Sequence, residues 1–154
     1  MGRVNTVMLA LHMGGSLFSY VAFLVAFVSG LLFLIQERQL KRKTLGVLFH
    51  HLPSLERLDQ LNFLAIGWGF ALLSIGTLCG FAGAEAWFGR WWTGDSKAYL
   101  TVLLWMSYLA LWLLRLRATL RGRRVALLSV LGFSLVLFTF LAASRLLPSG
   151  HPYL

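Results

Sequence analysis

Four stretches of this chain carry no charged residue at all, 4–36, 60–84, 98–114 and 125–144, and short charged segments separate them. Crossing a bilayer core takes about 20 apolar residues in a helix, with a range of roughly 17–25. All four windows meet that length, the third only just. Backbone groups in lipid must be satisfied within the segment, and the windows lack the alternation of a barrel strand, so helices are the expected form. The reading is an all-α integral membrane protein with four transmembrane helices, near 13–36, 60–83, 98–115 and 124–146. They form a single membrane domain over 1–154, with an outer loop at 84–97 and no internal repeat. The first window is too long for one span. Its opening dozen residues are expected at the interface, as a short amphipathic lead or an extended helix. Composition agrees: 58% of the residues are hydrophobic and only 12% charged, where a soluble domain carries about a quarter.

Direction follows from the basic residues. Arg38, Lys41, Arg42, Lys43 and Arg57 lie between the first two windows, and Arg115, Arg117, Arg121, Arg123 and Arg124 between the last two. The other side holds Arg3, Arg90, Lys97 and Arg145. Ten against four places the two dense clusters in the cytoplasm, and both termini with the loop 84–97 outside, on the periplasmic side of a bacterial inner membrane or its equivalent. The net charge of +9 is thus spent on orientation. The positives flank apolar runs rather than forming a solvated basic face, which argues against a nucleic-acid partner.

The N-terminal run contains Gly14, Gly15 and Ser16, lacks a small-x-small cleavage site and continues past signal length, so it reads as a retained span. One cysteine, Cys79, excludes an internal disulfide, and the absence of Cys-x-x-Cys-His excludes the usual c-type attachment of haem. Ser54 is placed to cap the second helix, with Glu56 and Asp59 suited to the positive end of its dipole. Gly69, Gly76 and Gly83 recur every seven residues, and Gly76-x-x-x-Gly80 lies on a neighbouring face. Small residues at such spacing let helices approach closely in lipid.

Chemistry concentrates at the outer end. His12 begins a polar strip with Ser16, Ser19 and Tyr20 and reads either as a metal ligand or as an interfacial residue bonded to water or serine. His151, in the tail after the fourth window, reads either as a ligand or as a solvated residue. Short loops can bring the two together, and paired histidines are a common way to hold a low-spin haem. The loop Trp87-Phe88-Gly89-Arg90-Trp91-Trp92-Thr93-Gly94-Asp95 is either an interfacial aromatic belt or a stacking surface for a porphyrin. In the second case Arg90, Lys97 or Arg145 would neutralise the propionates. His50-His51 lies on the opposite side and cannot join this pair. No nucleophile–base set, phosphate loop or metalloprotease motif occurs, so haem handling or electron transfer is expected rather than a turnover enzyme.

The segment Gly89-x-x-Trp92-x-x-Asp95-x-Lys97, followed by Trp105 and Tyr108, resembles the tryptophan-rich WWD signature of the CcsA/HemX-type cytochrome c assembly proteins. Flanking residues extend the likeness: Leu52-Pro53-Ser54-Leu55-Glu56, Arg121-Gly122-Arg123-Arg124, Gly132-Phe133 and His151-x-Tyr153. It covers nearly the whole chain and corresponds to the C-terminal part of a typical member. The resemblance implies a b-type haem at the outer face, His12 and His151 as its ligands, and Trp87, Trp91, Trp92, Asp95, Arg90 and Lys97 shaping the site. Other membrane subunits and cytochrome c are the implied partners. Departures are specific: Phe88 and Gly94 stand where the signature has tryptophan, Ser96 replaces its proline, Ala98 its glutamate, and Leu113 a histidine inside the membrane. The expected function is haem holding for cytochrome c maturation. The alternatives are a permanent haem b electron-transfer subunit, or a structural subunit, of a larger respiratory or photosynthetic complex.

Overall fold

The structure is a computed structural model that describes residues 2–43, 52–89, 96–117 and 122–146; at 2–5, 87–88, 96–97, 139–140 and 142–146 it describes the backbone alone. Among the described residues it contains four helices, α1 (Gly2–Arg42), α2 (Leu55–Phe88), α3 (Ser96–Leu116) and α4 (Arg123–Leu146). Three of them, over Thr6–Arg42, Leu55–Ala86 and Ala98–Leu116, are long and apolar enough among the described residues to cross a membrane. The long first window resolves as one uninterrupted helix. At 41 residues α1 spans roughly 60 Å at 1.5 Å per residue, about twice the hydrocarbon core, so it projects well beyond one bilayer.

Local chemistry sets the helix ends. Ser54 caps α2 by accepting from the Arg57 N–H, and Glu56 lies in the first turn, as the sequence predicts. Gly89 ends α2 with φ 63° and ψ 20°, a left-handed residue whose N–H reaches back to the Glu85 carbonyl at 2.9 Å. Gly122, at φ 61°, makes the turn into α4 and sits under the Phe33 ring.

Contacts between helices give an up-down bundle. Gly15 meets Gly76, Phe23 meets Gly69 and Asn62 meets Ala26, so α1 and α2 run antiparallel. Asp59 with Arg115, Gly67 with Trp112 and Ser74 with Trp105 fix α2 against α3 in the same sense. Gly30 against Ala126 and Phe27 against Phe133 do so for α1 and α4, and Tyr108 against Gly132 closes α3 on α4. The core holds Phe23, Ile66, Leu73, Leu104, Tyr108, Val125 and Phe133, with Phe23 and Tyr108 stacked at 3.6 Å between ring centroids. Large apolar side chains such as Phe18, Trp68, Leu131 and Phe138 cover the outside, while Ser19, Ser29, Asn62 and Ser129 are buried. Polar inside and apolar outside is the arrangement suited to lipid, where helices gain by hydrogen bonding and close packing with one another.

Two of the three heptad glycines act as that spacing predicts. A Cβ at Gly69 would lie 2.5 Å from the Phe23 ring, and one at Gly76 3.1 Å from the Ser16 backbone nitrogen. At Gly83 nothing stands within 4 Å.

Candidate functional site

His12 is half-buried between α1 and α2, one turn from the tight Gly15–Gly76 contact. Its Nδ1 lies 2.7 Å from the Gly76 carbonyl oxygen. Of the polar strip predicted below it, Ser19 is fully buried and donates to the Ser16 carbonyl at 2.7 Å, and Ser16 packs on Gly76. The serines therefore serve the helix seam, and His12 alone of that strip bonds across to α2. Its bond to Gly76 engages one ring nitrogen and leaves Nε2 as the second. An imidazole held by a backbone carbonyl through one nitrogen is the donor type that haem iron and other metals take through the other. The residue present at position 12 thus fits a haem ligand.

Its level in the bundle is set by α2. From Gly80, beside His12, back to Asp59 is 21 residues, or roughly 30 Å of helix. At the Asp59 level a different polar site closes the bundle. Arg115 is 8% exposed; its Nη1 donates to Asp59 Oδ1 at 2.8 Å and its Nη2 to Oδ2 at 2.7 Å and to the Asp59 carbonyl at 2.9 Å. The guanidinium also lies 5.4 Å from the centre of the Phe63 ring, and Asp59 Oδ1 accepts from the Gly122 N–H at 3.3 Å. One turn further in, Asn62 donates to the Ala26 carbonyl at 2.7 Å and accepts from the Ser129 hydroxyl at 3.1 Å, joining α1, α2 and α4. Both features escape sequence reading, which assigns Asp59 to the helix dipole and Arg115 to the orienting cluster. An antiparallel alignment of the two spans would have paired them.

The remaining predicted residues are placed only by backbone or lie outside the described residues. Trp87 is in the last turn of α2 and Lys97 in the first turn of α3, each known by its backbone. Arg90, Trp91, Trp92, Asp95 and His151 lie outside the described residues, as do His50 and His51. Topology nevertheless sends the end of α2, the start of α3 and the end of α4 to the end of the bundle where α1 begins, which is the His12 end. Carrying the register of Gly30 against Ala126 along α1 and α4 puts the close of α4 roughly level with His12, five residues before His151. Among the described residues no three His, Cys, Asp or Glu side chains gather as a metal cluster, and Cys79 is half-buried with a free thiol.

A family model described as "Cytochrome C assembly protein" matches residues 3–150. The chain belongs to this family. Among curated relatives, the cytochrome c biogenesis protein CcsA of Prochlorococcus marinus strain MIT 9215 is 39% identical over 99 residues, covering 64% of this chain and 32% of that protein. The protein of the same name from Guillardia theta is 37% identical over 100 residues, covering 64% and 33%. That of Synechococcus sp. strain JA-2-3B'a(2-13) is 36% identical over 109 residues, covering 70% and 31%. The aligned part is thus about a third of each relative's length. No solved structure matches.

Proposed function

We propose that this member of the cytochrome c assembly family holds a b-type haem at the outer face of the inner membrane and serves cytochrome c maturation there. His12 and His151 would hold its iron. Trp87, Trp91 and Trp92 would flank the porphyrin, Arg90 and Lys97 would meet its propionates, and Asp95 would order the loop. When bound, the haem supplies an iron that can cycle between two oxidation states; the chain's part is to hold, orient and partly desolvate it.

The observation that carries this reading is the position of His12. It bonds to Gly76 at 2.7 Å and stands about one hydrocarbon thickness, roughly 30 Å, from the Asp59–Arg115 pair along α2. With that pair and its neighbouring arginines at the cytoplasmic rim, as the charge asymmetry favours, His12 falls at the opposite rim. The last two turns of α2 then project above the membrane beside it, and the tryptophan loop that follows them in sequence would belong to the same face. The fourth span, the outer position of both termini, partner membrane subunits and cytochrome c as recipient belong to the same proposal.

The altered signature favours one second reading. Phe88 and Gly94 in place of tryptophans, and Leu113 in place of a membrane histidine, reduce the part of the family pattern concerned with moving haem. The same site could therefore hold its haem permanently as an electron-transfer subunit.

A visible spectrum of the purified protein, expressed with haem in excess, tests the proposal. A low-spin b-type spectrum that disappears in both His12→Ala and His151→Ala is expected, and a colourless wild-type protein refutes both readings. Loss of holocytochrome c in a deletion strain selects maturation; normal holocytochrome c with a reversible haem midpoint selects electron transfer.

A further inference from the structure

The side of α2 that receives His12 is built from two glycines, and they do different things. Gly76 presents its carbonyl oxygen to Nδ1 at 2.7 Å. Gly80 is the residue one turn on, whose N–H points at that same carbonyl in an α-helix. A Cβ at Gly80 would stand 2.7 Å from His12 Nδ1 and 2.8 Å from Cε1, closer than real Cβ atoms approach. The carbonyl is therefore open to the imidazole only because position 80 has no side chain. Gly15 sits closely on α2 at the same level, where a Cβ on it would stand 3.2–3.3 Å from the Gly76 backbone and 3.1 Å from the Leu72 carbonyl oxygen, which limits rotation of α1.

We infer that Gly76 and Gly80 form a notch that selects the tautomer and orientation of His12, making Nε2 the ligating atom. A carbonyl only accepts, so a 2.7 Å contact places the hydrogen on Nδ1. A neutral imidazole protonated at Nδ1 carries its free lone pair on Nε2. The carbonyl also holds the ring in place before any metal arrives, the role that outer partners of ligating histidines usually play. Gly76 and Gly80 are positioning residues, acting through His12. This assignment rests on His12 being a haem ligand for its consequence, but the tautomer itself is a property of the protein without haem.

That separation gives the test. Nitrogen-15 NMR of the haem-free, histidine-labelled full chain in detergent distinguishes the two tautomers, and the His12 signals are identified by their absence in His12→Ala. Wild type is expected to show His12 protonated at Nδ1, and Gly80→Ala to lose that state as the ring is pushed off the carbonyl. Gly83→Ala, where nothing stands within 4 Å, is the control for adding a methyl to the same helix. Titration with iron protoporphyrin IX should then show affinity lowered about 10–100-fold in Gly80→Ala and unchanged in Gly83→Ala. Gly80→Ser serves as a second variant if Gly80→Ala fails to fold. A wild-type His12 protonated at Nε2, or a Gly80 variant that keeps the Nδ1 tautomer, overturns the inference. Failure of wild type to take up haem at all, with the tautomer result intact, overturns the haem reading and leaves the notch.

Discussion

Replacing Asp59 with alanine removes the carboxylate from a guanidinium that has almost no water around it. Arg115 is 8% exposed and makes two charge-assisted bonds to that carboxylate, at 2.7 and 2.8 Å. After the substitution its remaining partners among the described residues are the Asp59 backbone carbonyl at 2.9 Å and the face of Phe63. Breaking a buried ion pair from one side costs about 3–5 kcal/mol, because a desolvated charge is left behind. The Asp59 side chain is 27% exposed, and a long arginine can extend toward the interface, so the lower end applies: about 3 kcal/mol. That is roughly a 100-fold shift in the folding equilibrium. The assay is reversible unfolding of the purified protein in mixed micelles by added SDS. Tryptophan fluorescence reports it through Trp105 and Trp112, which pack against the core. Asp59→Leu combined with Arg115→Leu should recover most of the loss, since an apolar pair leaves no orphan charge. Asp59→Ala within 1 kcal/mol of wild type, or a double variant as unstable as the sum of the two single ones, refutes the reasoning.

Three further outcomes follow from the same geometry. Gly15→Ala puts a methyl 3.1 Å from the Leu72 carbonyl and 3.2 Å from the Gly76 Cα and should cost about 1–3 kcal/mol in the SDS assay, while neighbouring Gly14→Ala, with open space around it, should be neutral or stabilising. Asn62→Leu removes the donor to Ala26 and the acceptor of Ser129 and should cost about 0.6–1.7 kcal/mol per bond lost, with Ser129→Ala additive to less than its own single effect. For topology, single cysteines in a Cys79→Ser background should react with a membrane-impermeant maleimide added outside at Thr93→Cys and not at Ala118→Cys; the reverse pattern overturns the orientation.

How much of this was legible in the sequence depended on which forces act locally. Helix α2 could be read because each of its signals lies within a few residues: Ser54 capping Arg57, Glu56 in the first turn, and the apolar run between. The glycine seam was readable as a spacing, but its meaning at each position was not. Gly69 accommodates Phe23, Gly80 accommodates His12, and Gly83 faces nothing within 4 Å. Which ring fills which gap is set by the register between two helices, and a single sequence carries no direct signal for that. The pairing of Asp59 with Arg115 is hidden for the same reason: each has an adequate local explanation, a helix dipole or an orienting charge, and only the antiparallel contact of α2 with α3 brings them together. The length of α1 was also hidden, because a polar-flecked apolar start is compatible with an interfacial lead or with a continued helix.

The bundle is fastened toward its Asp59 end, and that bears on where a large flat ligand could sit. Among the described residues, a buried ion pair and a buried amide join the helices toward the Asp59 end: Asp59 to Arg115, Asn62 to Ala26, Ser129 to Asn62. The described parts of α1 and α2 differ toward the other end. No residue from Thr6 to Phe18 in α1 is fully buried, nor any from Thr77 to Ala86 in α2, and Gly14 and Gly83 both face open space. A porphyrin needs helices that stand apart, which costs packing, and an up-down bundle tolerates that at one end only if the other end holds its register. Breaking the Asn62–Ala26 bond, which joins α1 to α2, should therefore be felt at His12, roughly 27 Å away along α2, as a shift in the α1–α2 register rather than as a lost contact. An Asn62→Leu protein that still folds but loses the Nδ1 tautomer of His12 would establish that link; one that folds and keeps it would show that the glycine seam alone maintains the register.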